Sequence, residues 1–161
     1  MEVNGSAEGK LAFLDAVHGE IVPTMAEDEN PSAITLTKIK PYPEGVWDYD
    51  WCVDHWGTKW DIEAVLVNPG WETNNDNLLI HFDSAWSPPE IAFKELPDMF
   101  PDLCFSHIYA EPGMNFSGGD RYTGHNREDD PAYGNFPATM EGNIPSIVMN
   151  YIYMVGDNDY H

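Results

Sequence analysis

Positive charge is scarce in this sequence: 7 Lys and Arg stand against 28 Asp and Glu, a formal net charge of −21 over 161 residues. Such a surface repels phosphate backbones and anionic lipid. The few cations are scattered along the chain and form no basic stripe with aromatics, which argues against direct nucleic-acid binding. Cysteine is almost as rare, with Cys52 and Cys104 alone, each inside an apolar run. Two isolated thiols make no disulfide framework, and both read as reduced core residues. Long apolar runs are missing too. No stretch approaches the ~18 residues of a membrane helix, and the N-terminus lacks the basic-then-apolar order of a signal peptide. A cytosolic location is expected, in the producing cell or in an infected host.

Apolar residues are plentiful at 42%, with 13% aromatics, so the chain can build a core. The length suits one domain with extensions. The acids are spread along it, 11 in residues 1–60 and 17 in 61–161, so the charge belongs to the folded surface and not to a detachable tail. A surface of this sign steers the protein toward basic patches on other molecules.

Local patterns give an order of elements. Met1 to Gly5 reads as a short edge strand. Ser6 is an N-cap for a helix over Ala7 to His18, with Leu11, Leu14 and Val17 inward and Gly19 as its stop. Ala33 to Ile39 is β-branched and reads as a strand. Ile62 to Val67 and Leu78 to Asp83 read as an antiparallel pair joined by Asn- and Gly-rich turn chemistry. Ser87-Pro88-Pro89-Glu90 has the form of a capping box opening a second helix, with Ala92, Leu96 and Met99 inward, which Pro97 should break early. Leu103 to Ala110 alternates as a strand, and Phe116 to Tyr122 reads as an edge strand. The expected architecture is α+β: a ferredoxin-like two-layer sandwich, mainly antiparallel, with two helices on one face and an aromatic-rich helical insert. Residues 1–122 form that domain. Residues 123–161 supply an acidic loop and a C-terminal apolar segment, Ile144 to Val155, packed on it.

The insert is the most distinctive stretch. Trp47 to Trp60 holds four of the six tryptophans. Taken as a helix, it puts Tyr49, Cys52, Val53 and Trp56 on a core face, with Asp50 and Asp54 opposite as an i, i+4 acidic pair. Trp56, Trp60 and Trp86 are expected inside, and Trp47, Trp51 or Trp71 at least partly exposed. Asp48, Cys52 and His55 cluster on the helical wheel, but a structural zinc needs a closed set of four ligands and none completes this one, so no metal or other cofactor is expected. Cys104 and His107 fall on opposite strand faces, which argues against a catalytic pair. Asp83, Glu111 and Asp120 could meet at one sheet edge, although with 28 acids some proximity is expected by chance.

The pieces Trp56-Gly57-Thr58-Lys59-Trp60, Ala85-Trp86-Ser87-Pro88-Pro89 and Tyr109-Ala110-Glu111-Pro112-Gly113 resemble the YubB-like family of phage and plasmid proteins. The resemblance implies a ferredoxin-like α+β fold without an iron–sulfur cluster and brings no catalytic residues with it. The leading expectation is therefore an acidic mobile-element protein. It would bind a host protein bearing a basic, nucleic-acid-binding surface through Glu27, Asp28, Glu29, Asp50, Trp51, Asp54, Glu128, Asp129 and Asp130, as an anti-CRISPR or anti-restriction inhibitor would. The alternatives are a small-ligand module or enzyme with a pocket near His55, Lys59 and Asp83, and an assembly role in a phage particle.

Overall fold

The computed structural model describes residues 1–20, 30–111, 114 and 116–124. Glu27, Asp28, Glu29, Glu128, Asp129, Asp130 and the apolar segment Ile144 to Val155 lie outside the described residues.

Among the described residues, five strands form one antiparallel sheet: β1 (Glu2–Asn4), β2 (Glu63–Leu66), β3 (Leu78–Asp83), β4 (Cys104–Glu111) and β5 (Phe116–Thr123). Their spatial order is β2-β3-β1-β4-β5. Both β1 and β2 run antiparallel to β3, so they are parallel to each other with β3 between them. Equally, β3 and β4 flank β1 as a parallel pair, and β5 extends the β4 edge. Two split βαβ units thus interlock, which is the ferredoxin-like arrangement. Contrary to the expectation of an edge strand, β1 is central. Glu2 faces Leu79 on one side and Ser106 on the other. The strand is short and ends just before Ser6, which caps α1.

The first crossover is α1 (Ala7–Val17), opened by Ser6, whose Oγ accepts from Gly9 N at 3.0 Å. Its buried side is Lys10, Phe13 and Val17, while Leu11 is 46% exposed and Leu14 half-buried. The inward face is thus rotated from the expected one, with Leu11 outside and the whole of Lys10 inside. Phe13 meets Phe105 and Phe100 edge-on, each at 5.3 Å between ring centroids. On the return, α5 (Glu90–Phe93) and α6 (Leu96–Met99) are separate single turns, as Pro97 foretold. Ala92 and Leu96 are inside, but Met99 is 40% exposed because the break turns it outward. The capping box does not form: no side chain caps α5, and Ser87 Oγ donates to the Gly57 carbonyl instead. Phe93 packs edge-on against His107 at 5.1 Å and Phe82 at 5.6 Å. Phe105 and His107 are two apart on β4 and share a face, so α1 and α5 cover the same side of the sheet.

Between α1 and β2 lie α2 (Leu36–Ile39) and α3 (Tyr49–Trp56). The β-branched segment Ala33 to Ile39 is not a strand. Asp61 reaches back across the fold to accept from Leu36 N at 2.6 Å and Thr37 N at 3.1 Å, and this cap overrides local strand propensity. One further turn, α4 (Trp71–Asn74), sits inside the β2–β3 connection and buries Trp71 to 2% exposure. No helix among the described residues is long and apolar enough to cross a membrane.

Candidate functional site

The strongest surface feature is built around α3. Asp48 opens the helix, its Oδ1 accepting from Trp51 N at 2.9 Å, and Gly57 closes it in a left-handed conformation at φ 86°. The Gly57 N–H returns to the Cys52 and Val53 carbonyls, a glycine-terminated end that a side chain at this φ would strain. Cys52 and Trp56 are buried as expected, and the Trp56 indole donates to the Lys40 carbonyl at 2.9 Å. Val53 is half-buried, while Tyr49, in the first turn of α3, departs from the expected core face at 48% exposure. Burial pushes the Cys52 thiol up, which suits a core residue and not a nucleophile. Cys104 lies half-buried beside Arg121, whose Nε is 3.0 Å from the sulfur, and so is not the core residue expected.

Asp50 and Asp54 both face solvent, one turn apart on α3. Trp51 is half-buried, stacked on His55 at 4.5 Å and edge-on to Tyr42 at 4.7 Å. The His55 ring also holds the Trp51 carbonyl through Nδ1 at 2.9 Å. Asp48 and His55 are thereby committed to the helix, and no group of three or more His, Cys, Asp and Glu among the described residues is arranged to hold a metal ion.

At the far end of α3 two tryptophans expected in the core stand outside it, Trp60 at 51% and Trp86 at 78% exposure. The Lys59 ammonium lies over both, 4.7 Å from the Trp60 ring and 5.5 Å from that of Trp86. Buried Thr58 donates through Oγ1 to the Ala85 carbonyl at 2.9 Å, and Ser87 Oγ donates to the Gly57 carbonyl. The segments carrying the two indoles are therefore tied together on either side of Trp86. Trp86 itself sits at φ 73°, a left-handed conformation that costs a bulky residue about 1–3 kcal/mol. At the other end of α3, Trp47 is 51% exposed and packs edge-on against Tyr49 at 6.3 Å.

The pocket expected near His55, Lys59 and Asp83 is not what these residues make. His55 is on Trp51, Lys59 is on two indoles, and Asp83 ends β3 opposite Glu63. Nor do Asp83, Glu111 and Asp120 converge. Asp120 pairs in register with His107, and Glu111 lies four residues further along β4, about 13 Å away.

Asp120 instead meets Glu90, which sequence reasoning assigned to a helix cap. Burial first, and then the Asp120 charge, raise the Glu90 carboxyl, and Tyr109 hydrogen-bonds to it. The Tyr109 hydroxyl is pushed up to about 12 by burial and by Glu90. Its ring crosses β5 at Gly118, where a β-carbon would fall 2.4 Å from the tyrosine oxygen. Beside it His107, 1% exposed, has its Nδ1 without a hydrogen-bond partner, and burial pulls its pKa down to about 3. The signal that could have found this group was strand alternation, which puts His107 and Tyr109 on one face. The contribution of Glu90 came from a different element and had no spacing signature.

No curated protein and no solved structure matches the chain. The family described as the ferredoxin-like domain in Api92-like protein matches residues 56–136, from the last residue of α3 past the end of β5. That match supports the ferredoxin-like part of the resemblance read from the sequence, in agreement with the interlocked split βαβ units. Since it spans half of the 161 residues, the chain belongs to this family of ferredoxin-like domains in Api92-like proteins.

Proposed function

We propose that the chain is a protein-binding module of a phage or plasmid that engages a host protein through a basic, nucleic-acid-binding surface, and that the complex inhibits a defence system of the CRISPR or restriction type. One observation carries the reading: Trp47, Tyr49, Trp60 and Trp86 remain about half exposed or more around an acidic helix, in a chain of net charge −21. Exposed tryptophan and tyrosine supply large contact area at low entropy cost, and they dominate the energetics of protein interfaces. Patches of this kind on a soluble fold mark interaction surfaces. The surrounding carboxylates give the partner its sign, because they attract basic surfaces and repel phosphate. An anionic field of this strength stands in for that of duplex nucleic acid at a site built to receive it.

The test is capture of the partner from host cells, followed by titration of the two purified proteins. Affinity is expected to fall by tenfold or more between about 50 and 200 mM salt, as it does when several charge pairs form together. Asp50→Lys with Asp54→Lys should weaken it further, and duplex DNA should compete. Binding that ignores salt and is indifferent to DNA would refute the reading.

A further inference from the structure

The Lys59 ammonium is the cation to explain. Lys38 and Lys40 pair with Glu20 at 2.7 Å and Glu95 at 3.0 Å, and Lys10, itself on the Trp71 ring, is buried with its ammonium bonded to Asn75 and the Asp76 carbonyl. Lys59, among the described residues, makes no ion pair and lies on two tryptophan faces, at 4.7 and 5.5 Å. Both distances are inside the ~6 Å range over which a ring quadrupole attracts a cation. The carboxylate nearest in sequence, Asp61, is spent on the N-terminus of α2.

Thr58 and Ser87 bond across to the backbone of the opposite segment, at residues on either side of Trp86, so the two segments that carry the indoles are held side by side. Trp86, 78% exposed, gains little from packing, and its backbone is left-handed at φ 73°. A pair of solvent-open indoles on tied segments, in a chain of net charge −21, suits a cation.

We propose that Trp60 and Trp86 form a binding site for the guanidinium of an arginine on a basic partner segment, and that Lys59 occupies it in the free protein and gives way on binding. This rests on the protein-binding reading above and names the group that its aromatic surface takes. Arginine is preferred to lysine on physical grounds. Guanidinium is planar, weakly hydrated and stacks on indole, whereas a lysine from the partner would offer the same ammonium that Lys59 already supplies. Lys59 is then a resident competitor, and it keeps the pair covered until a better cation arrives.

The probe is a hexa-arginine peptide added to the full-length protein, with hexa-lysine as comparison. The readout is the indole N–H resonances, assigned to Trp60 and Trp86 through their phenylalanine variants. Saturating shifts confined to these two indoles are expected, with hexa-arginine binding several-fold more tightly than hexa-lysine. Trp86→Ala should weaken hexa-arginine about three- to tenfold, the span of one or two partly solvated cation–π contacts. Lys59→Gln should strengthen it severalfold, whereas Lys38→Gln, which removes the same charge elsewhere, should not match that gain. Equal gains from the two lysine variants would overturn the role of Lys59. Binding that is lost with Asp50→Lys and Asp54→Lys but leaves the Trp60 and Trp86 signals unmoved would overturn the cation site while leaving the protein-binding reading in place. No binding of either peptide would count against both.

Discussion

The Lys10 ammonium lies 4.9 Å from the centroid of the Trp71 indole, and neither side chain reaches solvent. It also donates to Asn75 Oδ1 at 3.1 Å and to the Asp76 carbonyl at 2.7 Å, at the end of α4. A buried charge is tolerated only when its donors are used, and here the helix end and the ring face use them. Lys10→Met keeps the volume but leaves those acceptors without a donor. It should lower stability by about 2–3 kcal/mol in urea unfolding, with the slope unchanged. A neutral result would mean that water reaches Asn75 and Asp76 more freely than the burial of Lys10 implies.

His107 gives the fold a pH dependence of definite sign. Burial and the Met1 amino group hold its pKa at about 3 against an ordinary 6.5. The folded state thus refuses a proton that the unfolded chain accepts. No cost is present above pH 6.5; below it, stability falls by about 1.4 kcal/mol per pH unit until the folded value is reached. His107→Phe removes the titration and fills a site already lined by Phe82 and Phe93. The stability gap between variant and parent should widen in the variant's favour by about 2–3 kcal/mol between pH 7 and 4.5, read by chemical denaturation at each pH. Removing the unpartnered Nδ1 works in the variant's favour at every pH, which the pH-dependent gap then adds to.

These two residues show where the sequence was legible. Alternation in Leu78 to Asp83 and Leu103 to Ala110, the Ser6 cap and the Pro97 break are local, and each element followed from residues within a few positions of it. With the Gly-rich turns they led to the right architecture. Lys10 was opaque because its ammonium is taken up by Asn75 and Asp76, 65 and 66 residues away, and no periodicity rule puts a lysine inside; for His107 alternation gave the face but not the Phe82 and Phe93 rings that bury it. The tryptophans failed in the opposite direction. Hydrophobicity sent Trp60 and Trp86 inward, but both rings stand on the surface. A spent Ser87 and a left-handed Trp86, neither written in the local pattern, hold the second ring outside.

Asp61 is the clearest case of a distant residue setting local structure. Its carboxylate accepts from Leu36 N, Thr37 N, Thr37 Oγ1 at 2.7 Å and Ile62 N at 2.8 Å, which joins α2 to the start of β2. Asp61→Ala removes all four acceptor contacts and should cost about 2 kcal/mol, at the upper end of the range for an N-cap. Asp61→Asn keeps an oxygen and should recover about half. Amide exchange at Leu36 and Thr37 should accelerate in the alanine variant ahead of the sheet. Uniform acceleration would mean that α2 is fastened by its buried Leu36 and Ile39 and not by the cap.

Trp86 separates stability from function most sharply. At an ordinary loop position alanine is more stable than glycine by about 0.5–1 kcal/mol, because glycine has more freedom to lose on folding. At φ 73° the order should invert, since only glycine adopts that backbone without strain. Trp86→Gly is therefore expected to be more stable than Trp86→Ala by about 1 kcal/mol in thermal or urea unfolding. The parent should gain little over glycine, because a ring 78% exposed recovers little from burial. If alanine proves the better replacement, the backbone relaxes when the indole is removed. In that case the ring, bridged to Trp60 by Lys59, is what bends the chain. If glycine proves better, the turn is set by the Thr58 and Ser87 bonds and would present whatever side chain stood at residue 86. A tryptophan kept there at a cost in strain and solvent exposure then has its reason outside the folded core, in whatever its face receives.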